Sequence, residues 1–289
     1  VHAEHRATWK NEKHAAQWIS TLNRYAVPHL GNRPVDQIGT PDVLRVLAPI
    51  WLTKPETARR VRQRIGTVLD WAKAAGHRSG DNPVEGVAKG LPKQGERNEH
   101  HAALPYAEVP AFVARLRTGE AGEVARLAFE FLILTAARTG EVLGAEWREI
   151  DEAQALWVVP AKRMKAGREH RVPLSERAQE VLMRARALSG SSTLIFPGRS
   201  GANPLSNMVF LMTLRRMEVA TTAHGFRSSF RDWAAEATNL PREVAEMALA
   251  HAIENRVEAA YRRGDLLAKR REMMEIWSIY LSSGRNRKS

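Results

Sequence analysis

The sequence predicts a mainly α-helical protein of two domains, with a small β-hairpin or sheet confined to the second. Three observations carry this. Apolar residues recur at helical spacing over most of the 289 positions. One basic, breaker-rich stretch divides them. One pair of short segments is built from strand formers. At this length a folded chain hides about three quarters of its unfolded surface, so the cores need no covalent staples. A composition 44% hydrophobic and 26% charged excludes a disordered tail or a collagen-like repeat.

The elements follow in order. Over residues 8–27, Trp9, Ala16, Ile19 and Leu22 form an apolar stripe that Ala15 and Trp18 widen. Pro28 and Gly31 end it. Thr40-Pro41-Asp42 reads as a helix start with Thr40 as N-cap, Pro at the first helical position and Asp in the first turn. A third helix begins near Pro55 and puts Val61, Ile65, Val68, Leu69 and Ala72 on one side. Arg59, Arg60, Arg62, Arg64 and Lys73 occupy its flanks against only Glu56 and Asp70. That surface suits phosphates, and equally a solvated face. Between Gly76 and Ala103 the pattern dissolves into glycines and prolines. A helical first domain is therefore expected over 1–92 and a linker over 93–103, with Lys93 and Arg97 on it.

The second domain, 104–289, opens with a helix over 106–117 and a strongly apolar one over 122–136. Ala155-Leu-Trp-Val-Val-Pro160 and His170-Arg-Val-Pro-Leu174 are rich in strand formers and read as a hairpin, with Lys162, Arg163, Lys165 and Arg168 around its turn. The remainder is helical, broken near Phe196-Pro-Gly198 and Asn203-Pro204. Its last apolar stripe, Met273, Ile276, Trp277, Tyr280 and Leu281, needs cover, and a neighbouring copy is the expected source.

A net charge of +12 and a pI near 10.4 favour a polyanionic partner, most often nucleic acid, over a mere solubility charge. Cysteine is absent, which removes disulfides, thiolate nucleophiles and Cys-ligated metals and suits a cytoplasmic location. Apolar runs are short, as around Phe129–Leu134, far below the ~18 residues a membrane helix needs. The first residues lack the apolar core of a signal peptide, and Val1 in place of Met points to a piece missing in front.

Phosphate-cradling loops, dinucleotide fingerprints, His-Glu-x-x-His and Gly-x-Ser-x-Gly are all missing. What remains is a set suited to a phosphodiester. Arg138 sits in Thr135-Ala-Ala-Arg-Thr-Gly-Glu141, and Lys165 in the hairpin turn. His224-Gly-Phe-Arg227 spaces a His and an Arg for one helix face. His251 follows Leu249-Ala250, and Tyr261 lies in Ala-Ala-Tyr-Arg-Arg. Each has a plainer reading: Arg138 as cap or ion-pair partner of Glu141, His251 as a core histidine, Lys165 as a solvated turn residue with Lys162 and Arg163 as rivals. Glu141 and Asp232 read as structural supports.

These boxes, in this order and spacing, resemble the tyrosine recombinases of the phage and genomic-island integrase family across roughly 104–280. The Arg163-Met-Lys165 hairpin and Met273-Met274-x-x-Trp277 resemble the satellite-phage integrases in particular. Residues 8–90 resemble the family's helical core-binding domain more loosely. The resemblance implies a core-binding domain, a mixed α+β catalytic domain with a helical tail, and an N-terminal arm-binding domain absent here. It implies site-specific strand cleavage and rejoining through a 3′-phosphotyrosyl intermediate, to integrate or excise a mobile element, without ATP, metal or other cofactor. The implied catalytic residues are Arg138, Lys165, His224, Arg227 and His251, with Tyr261 as nucleophile. The implied partners are double-stranded DNA at attachment or junction sites, a homotetramer on that DNA, and DNA-bending accessory proteins, with nucleoid association when bound. Topoisomerase-like relaxation and a non-catalytic DNA-binding regulator are the alternatives.

Overall fold

The computed structural model describes residues 1–6, 12–95, 102–251 and 264–283. They form two compact units, Val1–Arg97 and Asn98–Ser289.

The first unit is wholly helical among its described residues: α1 (His2–Arg6), α2 (Glu12–Tyr25), α3 (Val27–Leu30), α4 (Thr40–Trp51), α5 (Pro55–Ala74) and α6 (Val84–Gly90). Its core gathers Trp18, Leu22, Val43, Leu47, Ile50, Trp51, Val61, Ile65, Leu69 and Val87. In α2 the buried stripe is Ala15, Trp18, Leu22 and, just beyond, Ala26, whereas Ala16 and Ile19 are exposed. The two residues expected to widen the stripe are its centre, and Trp9 lies outside the described residues. Thr40 is not the cap of α4. Gly39 takes that place, and Asp42, three residues on, accepts its N–H at 3.1 Å and an Arg33 N–H at 2.9 Å. The Thr40 hydroxyl is engaged elsewhere, donating to Pro83 O at 3.0 Å.

Helix α6 falls where helical periodicity is lost in the sequence. Its glycines, poor helix formers in isolation, are what let it lie on α4. A Cβ on Gly86 would come within 3.3 Å of the Thr40 hydroxyl, and one on Gly90 within 3.0 Å of Leu44. Past α6 the chain stays fastened to this unit: Trp51 donates to Pro92 O and Gln94 to Trp51 O, each at 2.7 Å.

The second unit contains α7 (Val109–Thr118), α8 (Glu123–Thr135), α9 (Thr139–Leu143), β1 (Ile150–Asp151), β2 (Leu156–Val159), β3 (His170–Pro173), α10 (Glu176–Ser189), α11 (Val209–Arg216), α12 (Gly225–Ala237), α13 (Arg242–Ala248) and α14 (Leu267–Ser282). The strands form an antiparallel sheet in the order β1-β2-β3, with Trp157 opposite Val172 and Val159 opposite His170. The expected hairpin is thus β2–β3, extended by the short β1. Helix α8 is buried on nearly every side. Glu130, 2% exposed within it, is held by Arg117 at 2.7 Å and Arg177 at 2.8 Å, as a buried carboxylate requires. Phe129 of α8 packs against Phe112, Phe210 and Phe226.

The start of α12 rests on the residues that open this unit. A Cβ on Gly225 would stand 2.2 Å from Ala102 O, so only glycine fits. Thr221 donates to the same carbonyl at 2.6 Å, and Ser229 to Leu104 O.

Helix α14 does not need a neighbouring copy to cover its apolar face, contrary to expectation. It packs on α7, α8, α10, α13 and β3 of its own unit. Met273, Met274, Trp277 and Leu281 are buried there, and of the expected stripe Ile276 alone is exposed. Tyr280 stacks on Trp277 at 5.7 Å. The Trp277 indole N–H donates at 2.9 Å to Ile133 O, a carbonyl in the last turn of α8 that lacks a full helical partner.

Trp277→Ala should therefore cost about 3–5 kcal/mol of unfolding free energy, since a large void opens and the Ile133 carbonyl keeps only the longer bond from the Ala136 N–H, at 3.3 Å. Urea unfolding of the variant against the native chain measures it.

Candidate active site

The second unit gathers three of the sequence-predicted residues at one corner of backbone, Leu249–His251. Arg227 lies in the first turn of α12 and is only 4% exposed. Its guanidinium donates to Ala136 O and, at 2.6 Å, to Leu249 O. A third contact, 3.4 Å, joins it to His251 Nε2. Its buried Nε has no hydrogen-bond partner among the described residues. Burial, and then the charge of Arg138, push the guanidinium down to about 10, so it remains a cation at neutral pH.

Arg138 precedes α9, directly after the apolar α8 has ended at the left-handed Ala136 (φ +48°). It donates to Glu141 from its backbone N–H at 2.9 Å and its guanidinium at 2.8 Å. It also reaches Leu249 O at 3.4 Å and Ala250 O at 3.3 Å. The cap and ion-pair reading of Arg138 therefore holds, and so does its meeting with Arg227: both guanidiniums share one carbonyl.

His251 follows α13. Its Nδ1 lies 2.6 Å from Glu246 Oε2, which in the neutral ring fixes the proton on Nδ1 and leaves the Nε2 lone pair toward Arg227. Glu246 also receives Arg231 at 2.8 Å. Partial burial alone would raise this carboxyl, but the hydrogen bond from His251 and the Arg231 charge outweigh it and hold it below the usual range. Glu246 was not singled out in the sequence. It lies five residues before His251, a spacing with no helical signature, and only the turn after α13 brings the two together.

The other expected residues fall as follows. His224 is exposed, one turn before Arg227 at the start of α12. Lys165 and Lys162 are exposed in the connection between β2 and β3, which turns through Gly167 at φ +65°. Tyr261 and Arg97 lie outside the described residues. Arg60, Lys73 and Lys93 are exposed, and Arg59 and Arg62 half-buried. Two members of the expected phosphate-facing set are instead engaged inside the protein. Arg64, 5% exposed, donates to Gln17 O at 2.8 Å and to Thr21 Oγ1. Arg163 donates to the Glu149 carboxylate and to Glu141 O, so it braces the α9 turn that presents Arg138.

Chemically the arrangement suits an anion: two forked cations, one nearly buried, meet at one carbonyl, and among the described residues Glu141 is the carboxylate paired with them, a setting in which a tetrahedral oxyanion would gain charge-assisted hydrogen bonds.

Residues 103–265 match the model described as Phage integrase family, and 1–87 that of Phage integrase central domain. The chain is 34% identical to prophage integrase IntZ of Escherichia coli (strain K12), over 94% of this chain and 67% of that protein. It is 31% identical to the integrase of Enterobacteria phage P4, over 96% of this chain and 67% of that one. It thus spans about two thirds of the length of these curated relatives. In fold it is similar to a lambda integrase dimer bound to a COC′ core site, with TM-score 0.70, 19% identity, and coverage of 87% of this chain and 92% of that one. A lambda integrase tetramer bound to a Holliday junction gives TM-score 0.70 at 18% identity, covering 88% and 76%.

Sulfate or inorganic phosphate, added at constant ionic strength, should raise the thermal midpoint, by about 2.7 kcal/mol of stability at 100 times its Kd. Arg138→Ala should lose that shift. Differential scanning fluorimetry over an anion titration checks it, and equal shifts in both proteins would contradict an anion site at Arg138.

Proposed function

The chain belongs to the phage integrase family and is a tyrosine-type site-specific recombinase, and on that premise we propose that it cuts and rejoins duplex DNA through Tyr261 to integrate or excise a mobile element. The observation that carries this reading is the convergence of Arg138, Arg227 and His251 on the Leu249–His251 corner.

A phosphodiester repels an anionic nucleophile until its own charge is neutralised. Arg138 and Arg227 do this as forked donors, charged at neutral pH, to the non-bridging oxygens, gaining strength as charge builds on them in the transition state. The Tyr261 oxygen attacks phosphorus and the bond to the 5′-oxygen breaks, which leaves a 3′-phosphotyrosyl linkage and a free 5′-hydroxyl. A phenol with a pKa of about 10 is mostly protonated at neutral pH. His251, with Nδ1 committed to Glu246, and the exposed His224 are the imidazoles that take up that proton and hydrogen-bond the phosphate. Lys165 gives the leaving 5′-oxygen its proton. Attack by a 5′-hydroxyl on the phosphotyrosine reverses these steps on a new strand, so the bond energy is kept and no ATP is consumed.

Residues 1–92 act in this reading as the core-binding domain, 93–103 as the linker and 104–289 as the catalytic domain. Arg59, Arg60, Arg62, Lys73, Lys93, Arg97 and Lys162 supply phosphate contacts, which set affinity and register rather than sequence choice. Binding to DNA as a multimer follows the lambda integrase dimer and tetramer, with four protomers exchanging strands and DNA-bending proteins assisting. No helix among the described residues is long and apolar enough to cross a membrane.

Incubated with DNA carrying its element's junction and quenched in detergent, the native chain should give a protease-sensitive protein–DNA band, and Tyr261→Phe none. A band from both would move the nucleophile elsewhere. Lys165→Ala should slow strand cleavage about 100-fold or more on ordinary DNA. It should match the native chain on DNA whose leaving 5′-oxygen is replaced by sulfur, since a thiolate leaves without a proton. Equal slowing on both substrates would assign Lys165 another role.

A further inference from the structure

Strand β3 carries two side chains that the chemistry above does not use. Neighbours on a strand leave it on opposite faces, and here each ties β3 to a distant part of the chain. His170 reaches Ala248 O, with Nε2 at 3.2 Å. The acceptor is a carbonyl, so Nε2 carries the proton. Burial, and then the charge of Arg270, push this imidazole down to about 4, and it stays a neutral, fixed donor at working pH. Arg171 grips Asp265 Oδ2 with Nε at 3.0 Å and Nη2 at 2.6 Å. Arg270, itself 2% exposed, closes the second tie: it donates to Asp265 O at 2.7 Å, to Asp265 Oδ2 at 2.8 Å and back to Arg171 O at 2.6 Å.

Ala248 and Asp265 stand on either side of residues 252–263, which contain Tyr261. The backbone turns sharply at both places. Ala250 has φ +49° and Leu266 φ +51°, a left-handed conformation that side chains other than glycine keep only where their surroundings impose it. Arg138 binds Ala250 O, and the Asp265 carboxylate receives the Leu267 N–H at 3.2 Å. The strand is also continuous with the connection that carries Lys165.

We propose that β3 is the positioning element for the nucleophile: His170 and Arg171, with Arg270 closing the second tie, fasten the chain on both sides of 252–263 and so set where Tyr261 stands relative to Arg138 and Arg227. This rests on Tyr261 being the nucleophile. The three side chains hydrogen-bond Ala248 O, Asp265 and Arg171 O. They are positioning residues, acting through the backbone at Ala248 and Asp265.

The test uses the full chain and a duplex spanning its element's joined ends, nicked beside the cleavage position so that the cut is irreversible. His170→Ala and Arg171→Ala should each lower the single-turnover rate of phosphotyrosyl formation about 100-fold, the scale on which a misplacement near 1 Å acts. DNA affinity should stay within about twofold and the circular-dichroism melt should remain cooperative. His170→Gln keeps a donor and Arg171→Lys a cation, and both should recover most of the rate. Cleavage rates unchanged in both alanine variants would overturn the proposal. So would losses that track lowered thermal midpoints and are not recovered by the conservative variants. Mapping the native adduct by proteolysis and mass spectrometry separates the two readings. An adduct at Tyr261 with unaffected variant rates sinks the β3 role alone, and an adduct on another tyrosine sinks both.

Discussion

A guanidinium buried to 4% exposure must be surrounded by acceptors, and the catalytic unit is organised around meeting that demand for Arg227. The acceptors are carbonyls from two helix ends. Ala136 lies one residue past α8 and Leu249 one residue past α13. A helix C-terminus leaves its last carbonyls without partners and carries partial negative charge, so the cation and the two ends satisfy one another. Three helices are fixed by one side chain, and Arg138, drawn to the same Leu249 carbonyl, is placed by the same constraint.

The electrostatic result is deliberately incomplete. Carbonyl dipoles solvate two cations without neutralising them, and Glu141 supplies one charge against two. The other buried carboxylates of this unit are engaged elsewhere, Glu130 with Arg117 and Arg177, and Glu149 with Arg163. The depressed pKa of Arg227 is the sign that burial and like charge both work against it. The strained Ala136 and Ala250, each costing about 1–2 kcal/mol, belong to the same arrangement, since they turn the chain so that the carbonyls face inward. In the proposed reading this uncompensated positive charge favours the negative charge that builds on the non-bridging oxygens of a phosphate under attack.

Much of this was legible without coordinates. The helical spacing in α5, the strand formers of β2 and β3 and the breakers past α6 are local properties, and they read true because packing agrees with them. What misled was also local. Ala16 and Ile19 share hydrophobicity with Ala15 and Trp18, and only the way α2 lies on α5 decides which pair is buried. The glycines of α6 argue against a helix until Thr40 and Leu44 are seen lying against them. Arg64 and Arg163 are indistinguishable in sequence from their exposed neighbours, and they turn inward because Gln17, Thr21 and Glu149 happen to be within reach.

The sequence by itself determined the family and the residues proposed for the chemistry, since the boxes around Arg138, Lys165, His224, Arg227, His251 and Tyr261 are short and ordered along the chain. Tertiary structure alone decided how they are supported. Glu246 behind His251, the Leu249 carbonyl between two arginines, the ties from β3 to Ala248 and Asp265, and the burial of α14 within its own unit all join groups that share no sequence period. Such contacts arise where backbone elements end and cross, and no side-chain pattern along a single element encodes where another element will meet it.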